Sequence, residues 1–193
     1  MRRSRALVLL VVRVALVATA SPGCLVLALD RFYEEPAIIF DDRLLGTWQD
    51  KDDNVTVTVE RSDWRAYRVH YVHPIDTRVL SAYLFKVKDA FFLDLSPLRG
   101  EDAGPFLLPA HTLVRLTIAA NEISVSALDF DWFAEAMGKQ ALPASLKPSR
   151  GERNQVVLGA DRAALVKWLA GRPDKDPAFA EPATFRKNPE PIL

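Results

Sequence analysis

The sequence predicts a mainly β (α+β) fold, an antiparallel barrel of about eight strands with two short helices, and three observations carry that expectation. First, Leu44-Leu45-Gly46-Thr47-Trp48 joins a polar arm to a first strand. A Gly-x-Trp at that place lets the backbone approach closely at Gly46 while Trp48 plugs the end of whatever the strands enclose. Second, seven strand-like stretches follow one another before any good helix. Third, Ala183-Thr184-Phe185-Arg186-Lys187 is short, alternating and near the end of the chain, as a closing strand should be.

What precedes Gly46 reads as export and an arm. Met1 to Arg5 is positively charged, Ala6 to Ala20 is an apolar run broken only by Arg13, and Thr19 to Cys24 is a small-residue cleavage region. Residues 1–23 are therefore expected to be a signal peptide of possible lipoprotein type, 24–43 an N-terminal arm and 44–188 the barrel domain. Cys24 is the only cysteine, so an intrachain disulfide is impossible. Three readings stay open: lipidation of Cys24, an uncleaved anchor running as one apolar helix from Ala6 to Leu29, and ordinary secretion. Pro36 keeps Glu35 out of the helical region, so the arm is expected to be extended.

The four arginines Arg2, Arg3, Arg5 and Arg13 all lie before Cys24, where no acidic residue occurs, so the rest of the chain carries 21 basic and 25 acidic residues. A mildly acidic body without a basic run gives no electrostatic footprint for nucleic acid, and no nucleic-acid partner is expected.

The strands can be justified in order. Val55, Val57 and Val59 alternate with Thr56, Thr58 and Glu60, and Asp50 to Asn54 is the turn that joins them to the Trp48 strand. Tyr67, Val69 and Tyr71 alternate with Arg68 and His70 in a strand that stops at His73-Pro74. Thr77 to Val87 places Leu80, Ala82 and Leu84 on one face. Phe91 to Leu95 is ended by Ser96-Pro97, and a loop with Gly100 and Gly104 runs to Pro109. His111 to Ala119 and Glu122 to Leu128 form a hairpin about Ala120-Asn121.

A first helix starts at Asp129, whose side chain can cap the free amides, and ends at Gly138, which suits a left-handed cap. Phe130, Phe133, Ala134 and Met137 share its apolar face, and the helix reads as a lid or plug for the barrel. Residues 140–154 read as a connection, and Gln155 to Leu158 as one more short strand. A second helix runs from the cap Asp161 to Gly171 and buries Leu165, Trp168 and Leu169.

Leu45-Gly46-Thr47-Trp48, the Tyr67 to Tyr71 strand, Leu84-Phe85 with Phe91 to Leu95, His111 to Arg115 and the late helix ending in Phe185-Arg186 together resemble a group of uncharacterised bacterial lipoproteins with a lipocalin-like β-barrel. The likeness spans residues 44–188. It implies a cell-envelope location, membrane-anchored on the periplasmic face or at the outer membrane, and no established activity. It also implies that Arg186 packs over Trp48 to close the barrel, as an Arg near the last strand does in lipocalins. The helix from Phe130 to Met137 departs from the lipocalin pattern, which has one helix after the eighth strand.

Catalytic signatures are missing. There is no Gly-x-Ser-x-Gly elbow, no His-Glu-x-x-His and no phosphate-binding glycine loop, so no catalytic residue and no cofactor is expected. His70-x-x-His73 with His111 supplies three imidazoles, the number a catalytic zinc can use, but His70 and His73 point to opposite faces of a continuous strand. Asp50 to Asn54 copies the first half of a calcium loop and then places Val55 where Gly is required and Arg61 where a bidentate Glu is needed. No metal site is expected.

Two function classes remain, a binding module holding a small apolar ligand and a structural or assembly protein that meets an envelope partner. Ligand-lining candidates are Tyr67, Val69, Tyr71, Leu84 and Phe92, with the inward parity left open. An apolar cavity favours the first class; an interior filled by Trp48, Tyr67, Phe91 and Leu113 favours the second.

Overall fold

The computed structural model describes residues 25–50, 52–98, 110–151, 154–173 and 175–188. The leader, Cys24 and most of the loop between Ser96 and Pro109 lie outside the described residues.

Eight strands close into an antiparallel barrel: β3 (Gly46–Asp50), β4 (Val55–Arg61), β5 (Ala66–His73), β6 (Asp76–Val87), β7 (Ala90–Pro97), β8 (Thr112–Ile118), β9 (Glu122–Ala127) and β12 (Ala183–Lys187). Each of the first seven pairs with its successor, and β12 pairs with both β9 and β3, so the sheet has no free edge there. The seven alternating stretches and the terminal one are the eight staves. Alternation decides the faces. Trp48, Val59, Tyr67, Val69, Ala82, Leu84, Val114, Leu116 and Ile123 form one buried cluster inside the barrel.

The arm and the long insertion between β9 and β12 build a second layer. The arm contributes β1 (Leu25–Ala28) and the two-residue β2 (Ile38–Ile39), which adds to β6 at Phe85 and Leu84. The insertion contributes α1 (Phe130–Gly138), β10 (Pro148–Gly151), β11 (Gln155–Leu158) and α2 (Arg162–Ala170). β1 runs parallel to β11, and β10 pairs antiparallel on its other side. This layer packs on the outer face of the barrel, where Phe85, Phe92 and Leu113 join Val26, Phe32, Phe133, Leu158 and Leu165 in a second core.

Five expectations are corrected. Glu35–Ala37 is a single 3-10 turn with Pro36 in its first positions, so Pro36 does not keep Glu35 out of the helical region and the arm is extended only on either side of it. Leu25 to Ala28 is a strand with every residue in register on β11, so the apolar run does not continue as a helix to Leu29. Among the described residues no helix is long and apolar enough to cross a membrane, which says nothing of crossing by strands. The helix α1 packs on β1 and β11 rather than plugging the barrel, because its buried Phe133 meets Trp168 of α2 at a centroid distance of 5.6 Å. Its left-handed end is Gln140 at φ 55°, and Gly138 stays within the helix. The stretch read as a connection, 140–154, contains β10, whose Pro148 and Gly151 are atypical strand residues tolerated at an edge.

Both helices are capped as their sequences predict. Asp129 accepts from Trp132 N at 2.7 Å and Asp161 from Ala164 N at 2.9 Å. The arm adds a second anchor to α2, since Asp30 Oδ2 accepts from Arg162 N at 3.0 Å.

Candidate functional site

At the arm end the barrel interior is filled. Trp48 and Tyr67 are fully buried, and Trp48 Nε1 donates to Leu44 O at 2.8 Å. Phe40 stacks on Tyr67 at 4.5 Å with the rings 8° apart, and Arg61 lies 4.0 Å above the Phe40 ring. The Tyr67 hydroxyl accepts from Asp41 N at 2.7 Å, which ties the arm into the barrel end. Burial pushes that hydroxyl up to about 12. Phe91, Leu80 and Leu95 are half-buried against the same cluster.

Of the residues chosen as ligand-lining, Tyr67, Val69 and Leu84 face inward, and Tyr71 shares their face by alternation while remaining half-buried. Phe92 is corrected: it lies one residue out of parity with Phe91 and Leu93 and points into the second layer, 5.7 Å from Phe85 and 6.0 Å from Phe179. Leu113 is likewise in the second layer.

The closure residues are also redistributed. Gly46 sits at φ 120°, and a Cβ there would stand 2.9 Å from Lys187 Cε. Lys187 pairs with Trp48 in register, and its Nζ lies 5.2 Å from the Trp48 ring centroid. Arg186 points outward instead, 77% exposed and 3.6 Å from Glu122. The basic group over the tryptophan is therefore Lys187, because the β12–β3 register puts Arg186 opposite Gln49.

The polar clusters each do structural work. Asp50 Oδ1 accepts from Asp52 N at 3.0 Å, so the calcium-like stretch folds as a carboxylate-anchored turn with Asn54 left-handed at φ 54°. His70 stands 3.4 Å from Glu60, His73 Nδ1 accepts from Ile75 N at 3.4 Å, and His111 Nδ1 shares a 2.7 Å hydrogen bond with Asp94. Among the described residues no group of three or more His, Cys, Asp or Glu is gathered as for a metal. Asp94 is 1% exposed, and its other oxygen accepts from Phe32 N at 2.9 Å. It joins the arm, β7 and the start of β8 in one staple.

Two concave sites lie outside the barrel wall. One, of about 400 Å³, is walled by Arg31, Tyr33 and Glu35 of the arm, Tyr83 of β6 and Trp64 of the β4–β5 turn. Trp64 is 62% exposed and held at φ 52°, an outlier for a bulky side chain. Arg65 lies 5.6 Å from its ring centroid and donates to Ile38 O at 2.8 Å. Burial pushes the Tyr33 hydroxyl up to about 12. The other site, of about 340 Å³, lies at the seam between the β6–β7 turn and the end of α2.

Comparison with protein-family models, with curated proteins and with solved structures finds no match. Neither concavity was visible in the sequence. Both are made by segments distant along the chain, so no local signal in the sequence marks either of them.

Proposed function

We propose that this protein is a non-catalytic envelope module, tethered through Cys24, whose barrel is a scaffold and whose recognition face is the groove beside Trp64. The tether is a reading of residues 1–24 alone. The observation that carries the rest is the contrast between a filled barrel end and an exposed, strained aromatic. Trp48, Tyr67 and Leu84 leave the arm end of the interior packed, while Trp64 is kept in solvent at φ 52°. Backbone strain of this kind costs about 1–3 kcal/mol and persists where the surroundings impose it, commonly at functional sites. With Tyr33, Tyr83, Arg31 and Glu35 around it, Trp64 offers an aromatic anchor inside a charged rim, the composition of a protein-recognition hot spot. The partner class is another envelope protein.

The test is a photo-reactive side chain at position 64 of the full chain in its own cells, with the exposed position 139 after α1 as control. A discrete adduct from position 64 alone is the expected result. Absence of an adduct there, or equal adducts from both positions, overturns the reading. The second reading, a small apolar ligand in the barrel, is favoured by the half-buried Tyr71, Leu80 and Leu95 on the inward face. It requires saturable binding of an apolar probe that Leu84→Trp abolishes.

A further inference from the structure

The exposed apolar side chains among the described residues are sorted to one end of the barrel. Trp64 stands alone in the β4–β5 turn. Val72, Ile75, Val79 and Leu98 stand at the opposite end, where β5 turns into β6 and β7 gives way to the entry of β8. Exposed Leu29 belongs to that end too, because Ala28 before it bridges to His111 just ahead of β8. Single exposed apolar residues are ordinary, whereas several gathered at one place mark a contact.

Alternation puts three of them on one surface. Val69 and Leu80 pack against the barrel core, so Val72 and Val79 point outward. Pro97 pairs with Leu80, and Leu98 N donates to Val79 O at 3.1 Å, which sets Leu98 beside Val79. Ile75 crowns the turn at 71% exposed. Since β7 parts from β6 at Val79, Asp76 to Arg78 and the turn project past that side of the wall, and the corner is convex. It is also neutral. Thr77 is the outward neighbour opposite Val72, Arg78 and Asp76 offset one another at 2.6 Å, and His70, opposite Val79, is turned to Glu60 at 3.4 Å.

These features choose between occupants. A second copy of this chain needs about 20–30 residues a side for a stable interface, far more than this corner offers. Protein hot spots are enriched in Trp, Tyr and Arg and poor in Val and Leu, the reverse of what stands here. Anionic headgroups gain nothing from a neutral corner on a body with 21 basic and 25 acidic residues from Cys24 onward. We propose that this end of the barrel rests on a bilayer, with Ile75, Val72, Val79 and Leu98 entering the acyl region of neutral lipid. The inference rests on the tethered reading of residues 1–24, which brings a bilayer within reach, and not on the groove beside Trp64. Cys24 is four residues before Ala28, so a tether there starts within about 14 Å of this end. One acyl chain holds a protein only marginally, and a second contact makes the attachment stable. With this end on the bilayer, Trp64 is turned away from it.

The experiment uses the full chain reconstituted into phosphatidylcholine vesicles with brominated acyl chains. Ile75→Trp should add an emission that the bromines quench, and Ala120→Trp, in the exposed β8–β9 turn at the other end, one that they do not. Val79→Glu in the Ile75→Trp chain should remove the quenching with the thermal midpoint unchanged, and Leu98→Glu repeats the test from the neighbouring strand end should Val79→Glu fail to fold. Adding phosphatidylglycerol should not strengthen the quenching. In a chain that stays on the vesicles, the inference is overturned, with the tether left standing, by no quenching of Ile75→Trp, by equal quenching at positions 75 and 120, by quenching that survives both glutamates, or by quenching that needs phosphatidylglycerol. A chain that does not stay on the vesicles overturns both. A photo-reactive side chain at position 75 in the protein's own cells should give a phospholipid adduct; an adduct to a second copy or to another protein overturns the inference, whatever position 64 gives.

Discussion

At the scale of single residues, barrel closure turns on a choice between two neighbours. Lys187 covers Trp48, while Arg186 makes an exposed contact with Glu122. Exposed ion pairs contribute about 0–1 kcal/mol, so Arg186→Ala should change stability little. Trp48→Ala should cost about 3–5 kcal/mol by emptying the barrel end. In double-mutant cycles read by denaturant unfolding, Trp48 and Lys187 should be non-additive and Trp48 and Arg186 additive. The reverse pattern would restore the arginine closure. Gly46→Ala should cost about 1–3 kcal/mol, chiefly from φ 120°, because the Lys187 end it meets is flexible and can move aside. The tyrosines give a pH signature. Tyr33 and Tyr67 hold their protons up to about pH 12 in the fold, because burial disfavours the phenolate, against about 10 in the unfolded chain. Below pH 10 both states keep the proton, so this contribution is fully present. Between 10 and 12 only the unfolded chain releases it, and stability falls as pH rises. Tyr67→Phe should flatten that fall in alkaline denaturation curves, even though it also removes the bond from Asp41 N.

At the scale of elements, the staple at Asp94 is the critical joint. One carboxylate serves β7, the His111 ring before β8 and the Phe32 amide of the arm. Asp94→Ala leaves a buried amide and a half-buried imidazole unmatched and should cost about 3 kcal/mol, whereas Asp42→Ala breaks an exposed contact with Arg61 and should cost under about 0.5. Amide exchange at Phe32 should rise in the first variant and not in the second; an unchanged rate at Phe32 would mean the arm is held by packing alone. Such joints explain which elements could be read from sequence. The barrel strands alternate cleanly, as Tyr67-Arg68-Val69-His70 does, because one face is core and the other solvent or second layer. The Asp129 and Asp161 caps were legible because capping is local. The strand β1 was not. Leu25 to Leu29 is apolar without alternation although only Val26 and Ala28 are buried, and that pattern is shared with a membrane span. The strand β10 was hidden because Pro148 and Gly151 argue against a strand, and only its pairing with β11 makes it one. The seam concavity that Arg172 and Lys88 line was silent for the same reason, since nothing near them in sequence places one beside the other.

At the scale of the whole molecule, the question is whether the barrel is a folding unit or half of one. The sequence drew the domain boundary at residue 44, where the Gly-x-Trp strand begins, and all eight barrel strands do lie beyond it. The core is divided differently. Val26, Ala28, Phe32, Tyr33 and Ile38 are all buried in the second core, on which the outer faces of β6, β7 and β8 also depend. Fully burying one large apolar side chain stabilises by about 1.5–3 kcal/mol, so the arm contributes on the order of 5–10 kcal/mol, comparable with the net stability of an ordinary domain at about 5–15. Without the arm, Phe85 and Phe92 meet water, Asp94 loses the Phe32 amide, Arg162 N loses Asp30 and β11 becomes an exposed edge. A chain of residues 25–188 should therefore unfold in one cooperative transition followed alike by near-ultraviolet circular dichroism and amide exchange. A chain of residues 44–188 should bind an apolar dye, lose exchange protection across α1, α2 and β11, and aggregate on concentration. If the shorter chain instead shows the same thermal midpoint, the barrel folds alone and the second layer is an accessory. The arm would then be free to leave its groove, and Trp64 would border an opening rather than a fixed wall.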